Sequence, residues 1–333
     1  MPTGLELIRA EMARQHGDAL ASLVENKGTA RRVALSLRRT GRFVLLGMGG
    51  SHYGNRMVEP LYRAQGIDAT ALVVSEVLRA PLPDASRTVL LTSQSGRSGE
   101  IVHYFDRAAG AEERFGMTLD GDSPLAKAVP SLIGVGGGEH AFAATRSLTI
   151  SLALHGAVLE ALEVDPAPLI AAFNQPVVPS VDAAVAALAP CKAVVYSGRG
   201  VLAGVAEAAA LGLMELARMP AFAHEGGQFQ HGPLEMLGED VGVVLFRPKG
   251  TDASGAERLV EIARAANCPV VVYDASGEMP ISGAITIAVP AADGLAAAAA
   301  LFPAMQETMI GVASRRVAHV GEPVRSTKVS DGD

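Results

Sequence analysis

Two glycine- and serine-rich segments and one histidine-bearing loop hold the residue types from which a reaction site could be built. Thr92-Ser93-Gln94-Ser95-Gly96-Arg97-Ser98-Gly99-Glu100 places three hydroxyls within six residues, between an apolar run and a segment of helical length. Hydroxyls beside free helix-terminal amides suit a phosphate monoester, because several neutral donors surround one dianion and the helix end adds partial positive charge. A single serine there would be read as an ordinary helix N-cap. Three serines, with a glutamine between two of them, favour anion binding.

Gly47-Met48-Gly49-Gly50-Ser51-His52-Tyr53-Gly54 has the same placement after an apolar run. Its glycines let the backbone turn sharply and point amides at an anion. Gly47 and Gly49 fit the first two positions of the dinucleotide fingerprint G-x-G-x-x-G, and Glu76 stands where a ribose-binding acid could sit. His52 occupies the third position, where close helix packing wants glycine, so the dinucleotide reading is the weaker one. No Gly-Lys-Ser/Thr occurs, which excludes a Walker loop. A third set follows later. A helix expected over 203–218 has Glu207 and Glu215, and beyond Pro220 comes the polar loop His224-Glu225-Gly226-Gly227-Gln228-Phe229-Gln230-His231-Gly232-Pro233. Its two histidines lack His-Glu-x-x-His spacing, so no metal site is expected.

The elements that must position these loops alternate along the chain. Apolar runs at Phe43–Leu46, Ala71–Val74, Thr88–Thr92, Arg114–Met117 and Ser131–Gly134 are separated by segments of helical length. That rhythm predicts a parallel sheet with helices on both faces, and continuous apolar strands fit a sheet buried on both sides. Residues 4–40 have helical spacing and end in a solvated basic cluster, Arg31, Arg32, Arg38 and Arg39. A long helix is expected over 141–163, ended by Asp165 and Pro166. Pro168, Pro176, Pro179 and Pro190 then mark a linker. The pattern restarts at Ala193–Tyr196, followed by Ser197-Gly198-Arg199-Gly200. Further strands are expected at Val241–Phe246, Pro269–Tyr273 and Ile285–Val289, and a helix over 294–317 with a possible kink at Pro303. Strand, glycine turn and helix thus recur 150 positions apart, at Phe43 and Ala193, which points to duplication of a whole domain. The expected fold class is α/β, two tandem doubly wound parallel-sheet domains: residues 1–175 with an N-terminal helix, and 176–333 with a C-terminal tail.

Composition narrows the function. At 333 residues the chain is about twice the usual domain size. With 49% hydrophobic and 19% charged residues it is not a disordered chain. A net charge of −7 without a basic stripe argues against nucleic acid as a partner. No Trp and 4% aromatic residues leave little for base or glycan stacking. Cys191 and Cys268 each abut a proline beside an apolar run and read as buried, reduced thiols. Glu6, Arg9 and Glu11 interrupt any signal peptide. No stretch of about 18 apolar residues lacks charge or proline, so no membrane span and a cytoplasmic location are expected.

Ser93-Gln94-Ser95-Gly96-x-Ser98 after a strand, paired with a strand-ending Gly-Met-Gly-Gly-Ser, resembles the sugar isomerase (SIS) domain family. Ser197-Gly198-Arg199-Gly200, Glu215 and Gln230-His231-Gly232-Pro233 look like the second SIS half of the isomerase part of glucosamine-6-phosphate synthases. Glu139-His140-Ala141-Phe142-Ala143-Ala144-Thr145-Arg146 is similar to the Glu-x-x-x-Ala-Ser-Thr-Lys stretch that closes the first half. Arg325-Ser326-Thr327-Lys328-Val329 looks like the family's C-terminal lysine segment. The likeness covers about residues 30–329 and extends to SIS-type glucosamine-6-phosphate deaminases.

The resemblance implies flavodoxin-like SIS domains and a set of roles. Gly50, Ser51, Ser93, Gln94, Ser95 and Ser98 would bind sugar and phosphate. Glu215 would move a proton between C1 and C2, as a partly desolvated carboxylate can. His231 would help open the sugar ring, which suits a group titrating near neutrality, and would reach across a homodimer into the partner's site. Lys328 would contact the open-chain carbonyl or form a Schiff base with it. No cofactor and no metal are implied. The chain departs from the family pattern at Arg97, where an acid is usual, at Ala144, where serine is usual, and at Gln228, where glutamate is frequent. The C-terminal segment lacks the Asp-Pro-Asp-x-Pro-Arg run. Residue 2 is Pro and no thiol precedes Cys191, so this chain is not expected to draw ammonia from glutamine itself. The expected reaction is isomerising deamination of glucosamine 6-phosphate to fructose 6-phosphate and ammonia. A simple phosphosugar isomerase, a deglycase and a non-catalytic phosphosugar-binding protein are the alternatives.

Overall fold

The computed structural model describes residues 2–107, 109–250 and 253–328. They fall into two compact units: residues 8–174 with 323–328 (the N-terminal unit), and residues 2–7 with 175–322 (the C-terminal unit). The sequence reading cut the chain once, after residue 175. In the structure the segments 2–7 and 323–328 group instead with the opposite units. Gly4 lies against the backbone of Val320 and Gly321, where a Cβ would come within 2.4 Å of a carbonyl carbon.

The first elements are α1 (Gly4–Glu25), α2 (Lys27–Thr40), β1 (Arg42–Gly47), α3 (Gly49–Ala64), β2 (Asp68–Val73), α4 (Val74–Arg79) and β3 (Arg87–Thr92). After them come α5 (Gly99–Phe105), β4 (Glu112–Thr118), α6 (Pro124–Ala128), β5 (Ser131–Ile133), α7 (Arg146–Ala161) and α8 (Ala167–Asn174). All strand pairs are parallel, in the order β2-β1-β3-β4-β5. β1 and β3 occupy the middle, and every residue of β3 is buried, around its apolar centre Val89-Leu90-Leu91. On one face Val44, Leu46, Val89 and Leu91 pack with Val74, Val77, Ile101 and Leu125. On the other, Phe43 meets Tyr62 edge-on with ring centroids 4.7 Å apart.

Two helical expectations change in detail. The run 4–40 is two helices parted at Asn26. The Asn26 amide donates to the Ser22 and Ile133 carbonyls at 2.8 Å and accepts from the Ile133 N–H at 2.7 Å, so it extends the edge of the sheet. The helix expected from 141 starts at Arg146, because the Glu139 carboxylate takes the amides of Thr145 and Ser147. The proline-rich linker also contains helices, α8 and α9 (Asp182–Leu188).

The C-terminal unit continues with β6 (Ala193–Gly198), α10 (Val201–Ala217), β7 (Ala221–Glu225) and 3-10 turns at Gln228–Gln230 and Pro233–Met236. It ends with β8 (Val241–Pro248), α11 (Ala253–Ala265), β9 (Val270–Ala275), β10 (Ile285–Ala288) and α12 (Gly294–Ser314). Its sheet is again parallel, in the order β10-β9-β8-β6-β7. Numbered within each unit, both sheets read 2-1-3-4-5, the order of flavodoxin-type doubly wound folds. β7 escaped the sequence reading because it is a short edge strand with only Ala221 fully buried. α12 runs through Pro303. It is long and apolar enough to cross a membrane by composition, but 89% of that stretch is buried. It packs on α9, α10 and β9.

Candidate functional site

In open parallel sheets, ligands bind beyond the carboxyl ends of the strands where the strand order reverses. In the N-terminal unit that point lies between β1 and β3, whose last residues Gly47 and Thr92 are paired neighbours. The two segments singled out from the sequence therefore emerge side by side. A Cβ on Gly47 would come within 3.0 Å of the His52 amide and within 3.1 Å of Asn55 Nδ2, so glycine lets the strand end sit tight on α3. Gly50 and Ser51 lie in the first turn of α3, both half-buried. Gly50 faces Ala144, 3.4 Å from where its Cβ would stand.

The Ser93–Ser98 loop is held from below. The Ser93 N–H donates to the Met117 carbonyl at 3.0 Å, the Leu119 N–H to the Gln94 carbonyl at 3.0 Å, and Thr118 Oγ1 to the same carbonyl at 3.2 Å. Gly96 turns the chain at φ +63°, where a Cβ would lie 2.2 Å from Ser123 Oγ, so no other residue fits without displacement. Ser98 stands at the N-cap of α5 but makes no side-chain cap. Its Oγ lies 2.9 Å from Ser93 Oγ instead. Ser95 Oγ accepts the Arg97 N–H at 3.2 Å. The Gln94 amide has no hydrogen-bond partner among the described residues, and Arg97 is turned outward to Asp120 at 2.8 Å. The arrangement can offer the hydroxyls of Ser93, Ser95 and Ser98 to one small anion, once each rotates its hydrogen toward it.

Lys328 belongs to the same unit. Its Nζ donates to Glu139 Oε2 at 3.2 Å and to the Phe142 carbonyl at 3.1 Å. The Glu139 side chain is wholly buried and Lys328 is 26% exposed. Burial pushes the Glu139 carboxyl up, but Lys328, the Ser147 hydroxyl and the Thr145 and Ser147 amides outweigh it and hold the group below the ordinary carboxylate value. The loop bearing Glu139 is anchored by Arg146. This fully buried guanidinium binds Glu11 at 2.5 Å, Asp18 at 3.1 Å, and the carbonyls of Val135, Gly137 and Gly138. Val329, the last residue of the lysine motif, lies outside the described residues.

Glu215 and His231 belong to the C-terminal unit. Glu215 is half-buried near the end of α10, two residues before Ala217 closes the helix. The loop after β7 is pinned by Phe229, which is buried in the core and stacks on His224 at 5.9 Å. Glu225 Oε2 accepts the amides of Gly227 and Gln228 at 2.8 and 2.9 Å. These anchors leave His231 exposed, ahead of Gly232 at φ +112°. The reversal point of this second sheet is chemically different. It has Arg247 beside Ser197, but Arg247 is committed to Asp274 and the Met279 carbonyl at 3.1 Å each, and Pro248-Lys249-Gly250 replaces the serine loop.

Residues 187–310 match the family model described as SIS domain. This segment is a SIS domain. Glu215 and His231 lie within it. The curated relatives that resemble the chain include a glutamine–fructose-6-phosphate aminotransferase (isomerizing) of Acidithiobacillus ferridurans, 28% identical over 243 residues. That match covers 65% of this chain and 39% of the relative, so the chain spans well under half the length of the curated relatives it matches. Among solved structures, the C-terminal domain of glucosamine-fructose-6-phosphate aminotransferase from Francisella tularensis superposes with TM-score 0.81 at 15% identity, covering 95% of this chain and 98% of that one. Glucosamine-6-phosphate deaminase from Thermotoga maritima gives TM-score 0.73 at 18% identity, covering 94% and 99%. The fold of the two units is thus the one these structures share.

The residue that sequence reasoning left out of the site is Glu139. It opens the Glu139–Arg146 stretch that carried part of the resemblance. A lone glutamate in a glycine-rich loop gives no sign that it will be buried, and its partner lies 189 residues away.

Proposed function

We propose that the chain is a phosphosugar isomerase-type enzyme of two SIS units, and that it converts glucosamine 6-phosphate and water to fructose 6-phosphate and ammonia. The observation that carries the reading is the Ser93–Ser98 loop. It stands at the reversal point of the sheet, and its last serine turns to another serine hydroxyl instead of capping α5. In this reading Ser93, Gln94, Ser95 and Ser98, with Gly50 and Ser51, hold the phosphate and the adjoining sugar. The phosphate supplies binding energy remote from the reacting carbons.

Glu215 then takes the proton from C2 of the open-chain amino aldehyde and returns it at C1 of the resulting enolamine, which leaves a C2 imine that water hydrolyses to fructose 6-phosphate and ammonia. The half-buried place of Glu215 on a helix keeps a carboxylate partly desolvated, as a base needs. His231 assists ring opening. Its exposure on its own unit supports a part in the site of a second copy, in a homodimer with shared sites. Lys328, tied to Glu139, contacts the carbonyl end of the open-chain sugar. The test is a coupled assay of ammonia and fructose 6-phosphate from glucosamine 6-phosphate. Equal release of both supports the reading. Aldose–ketose interconversion of other 6-phosphates without ammonia would make the chain a simple isomerase. No turnover alongside tight phosphosugar binding would make it a binding protein.

A further inference from the structure

A second cavity opens at the other end of the first sheet, where β3 and β4 begin. Arg87, Arg107, Arg114, Glu112, Tyr104 and Val77 are among its walls, and about 280 Å³ of space lies between them. Arg87 and Glu112 face each other across the strand pair. The side chains of Arg87 and Arg114 are only 8% and 10% exposed. One carboxylate serves both: Glu112 lies 2.9 Å from Arg114 Nε and 3.8 Å from Arg87 Nε, and it also accepts the Tyr104 hydroxyl at 3.0 Å. Asp84 is exposed at the rim and accepts the Ala111 amide. Two guanidinium groups thus share one enclosed carboxylate, with Arg107 a third cation on the wall, and buried cations in excess are costly unless something offsets them.

Part of the cluster has a structural explanation. Arg107 donates one nitrogen to the Val77 carbonyl at 3.0 Å, and Arg114 donates to the Arg107 carbonyl at 3.0 Å, so both tie down the ends of nearby helices. Arg87 does not fit that account. Its Nε donates to the Ala85 carbonyl at 3.2 Å, and its two terminal amino groups have no hydrogen-bond partner among the described residues. A planar fork of uncommitted donors beside two further guanidiniums is the geometry that binds oxyanions.

We propose that this cavity is a second anion site, which takes a small oxyanion of the phosphate class and is separate from the Ser93 loop. β3 runs from Arg87 at the cavity to Thr92 at the loop, about 16 Å at 3.3 Å per residue, so one phosphate cannot occupy both places. The site stands whether or not the proposed reaction is right.

The test titrates the full chain with inorganic phosphate by calorimetry. The Ser93→Ala/Ser95→Ala variant removes the loop as a competitor, and one equivalent is still expected to bind. Adding Arg107→Gln, at a half-buried position, should weaken that binding at least tenfold with the circular dichroism spectrum unchanged. Arg87→Gln should do the same, and a folded Arg87→Lys should restore only part of the loss. No binding in the Ser93/Ser95 background, or affinity within twofold after Arg107→Gln, overturns the site. Glycerol 2-phosphate in a parallel titration separates the sources. Binding as tight as phosphate supports a phosphomonoester ligand, and binding of phosphate alone supports the free anion. If the wild type and the Ser93/Ser95 variant titrate identically, the loop reading falls and the cavity site stands.

Discussion

Glu139→Gln removes the charge to which Lys328 is tied and leaves most of the buried contacts in place. The glutamine carbonyl can still accept the Thr145 and Ser147 amides, at 3.0 and 3.1 Å in the native protein. The Ser147 hydroxyl, at 2.6 Å, can turn to accept from the new NH2. What cannot be kept is the bond from Lys328 Nζ, because two donors would then face each other across 3.2 Å. A hydrogen bond to a charged group is worth about 1.5–3 kcal/mol. Lys328 is 26% exposed and regains some hydration on release, so the cost is discounted to around the bottom of that range, about 1–2 kcal/mol. The loss falls on the tail, residues 323–328, so its open population should rise about tenfold. Amide hydrogen exchange at Thr327 and Lys328, with limited proteolysis of the tail, reads this directly. Lys328→Gln should give the same release, and the double variant no more than either single one.

Acid should mimic the substitution. The Glu139 carboxyl is held below its ordinary 4.5, so its contribution is complete above that pH and is lost as the pH falls through the lower, folded value. The Glu139→Gln variant should lack this acid step. Unchanged tail exchange in Glu139→Gln at neutral pH would refute the reasoning.

Ser93→Ala and Ser95→Ala should each weaken phosphosugar binding by about 1.5–3 kcal/mol, and unchanged calorimetric affinity in folded variants would sink the phosphate role. Glu215→Gln should slow deuterium incorporation at the sugar's C1 or C2 by about 10²–10⁴, followed by NMR in heavy water, whereas Glu207→Gln should cost far less. Gly96→Ala should cost about 1–3 kcal/mol in urea unfolding, because φ +63° and Ser123 Oγ both oppose a Cβ. Burial pulls the pKa of His155, hydrogen-bonded to Tyr62, down from 6.5 to about 3. Stability should therefore be level above pH 6.5 and fall progressively below it, as the unfolded chain takes up the proton first, and His155→Gln should flatten that slope in urea midpoints measured from pH 4 to 8.

The central strands were legible because β1, β3, β6 and β8 each carry an apolar run that is buried in the sheet. The edges were not. β7 is half-exposed, and its Ala-Phe-Ala-His-Glu reads as loop when burial is unknown. The break at Asn26 was hidden for a related reason, since an asparagine that mimics a strand edge leaves the helical spacing of 4–40 intact. The serine loop could be read from its hydroxyl density. Its support by Thr118 and Ser123 could not, because those contacts come from a neighbouring strand and turn with no fixed spacing. The carboxylate that receives Lys328 was out of reach for the same reason.

The pairing of residues 139 and 328 also sets a clock on biosynthesis. The chain leaves the ribosome at about 5–20 residues per second. The 189 residues between the two partners therefore take about 10–40 s to appear. During that interval the nascent N-terminal unit has its sheet, its glycine loop and its serine loop, but the buried Glu139 carboxylate has no cation to meet. A segment still to be synthesised completes the first unit, so ribosome-stalled chains ending before residue 323 should expose the 134–145 loop to protease that full-length chains resist.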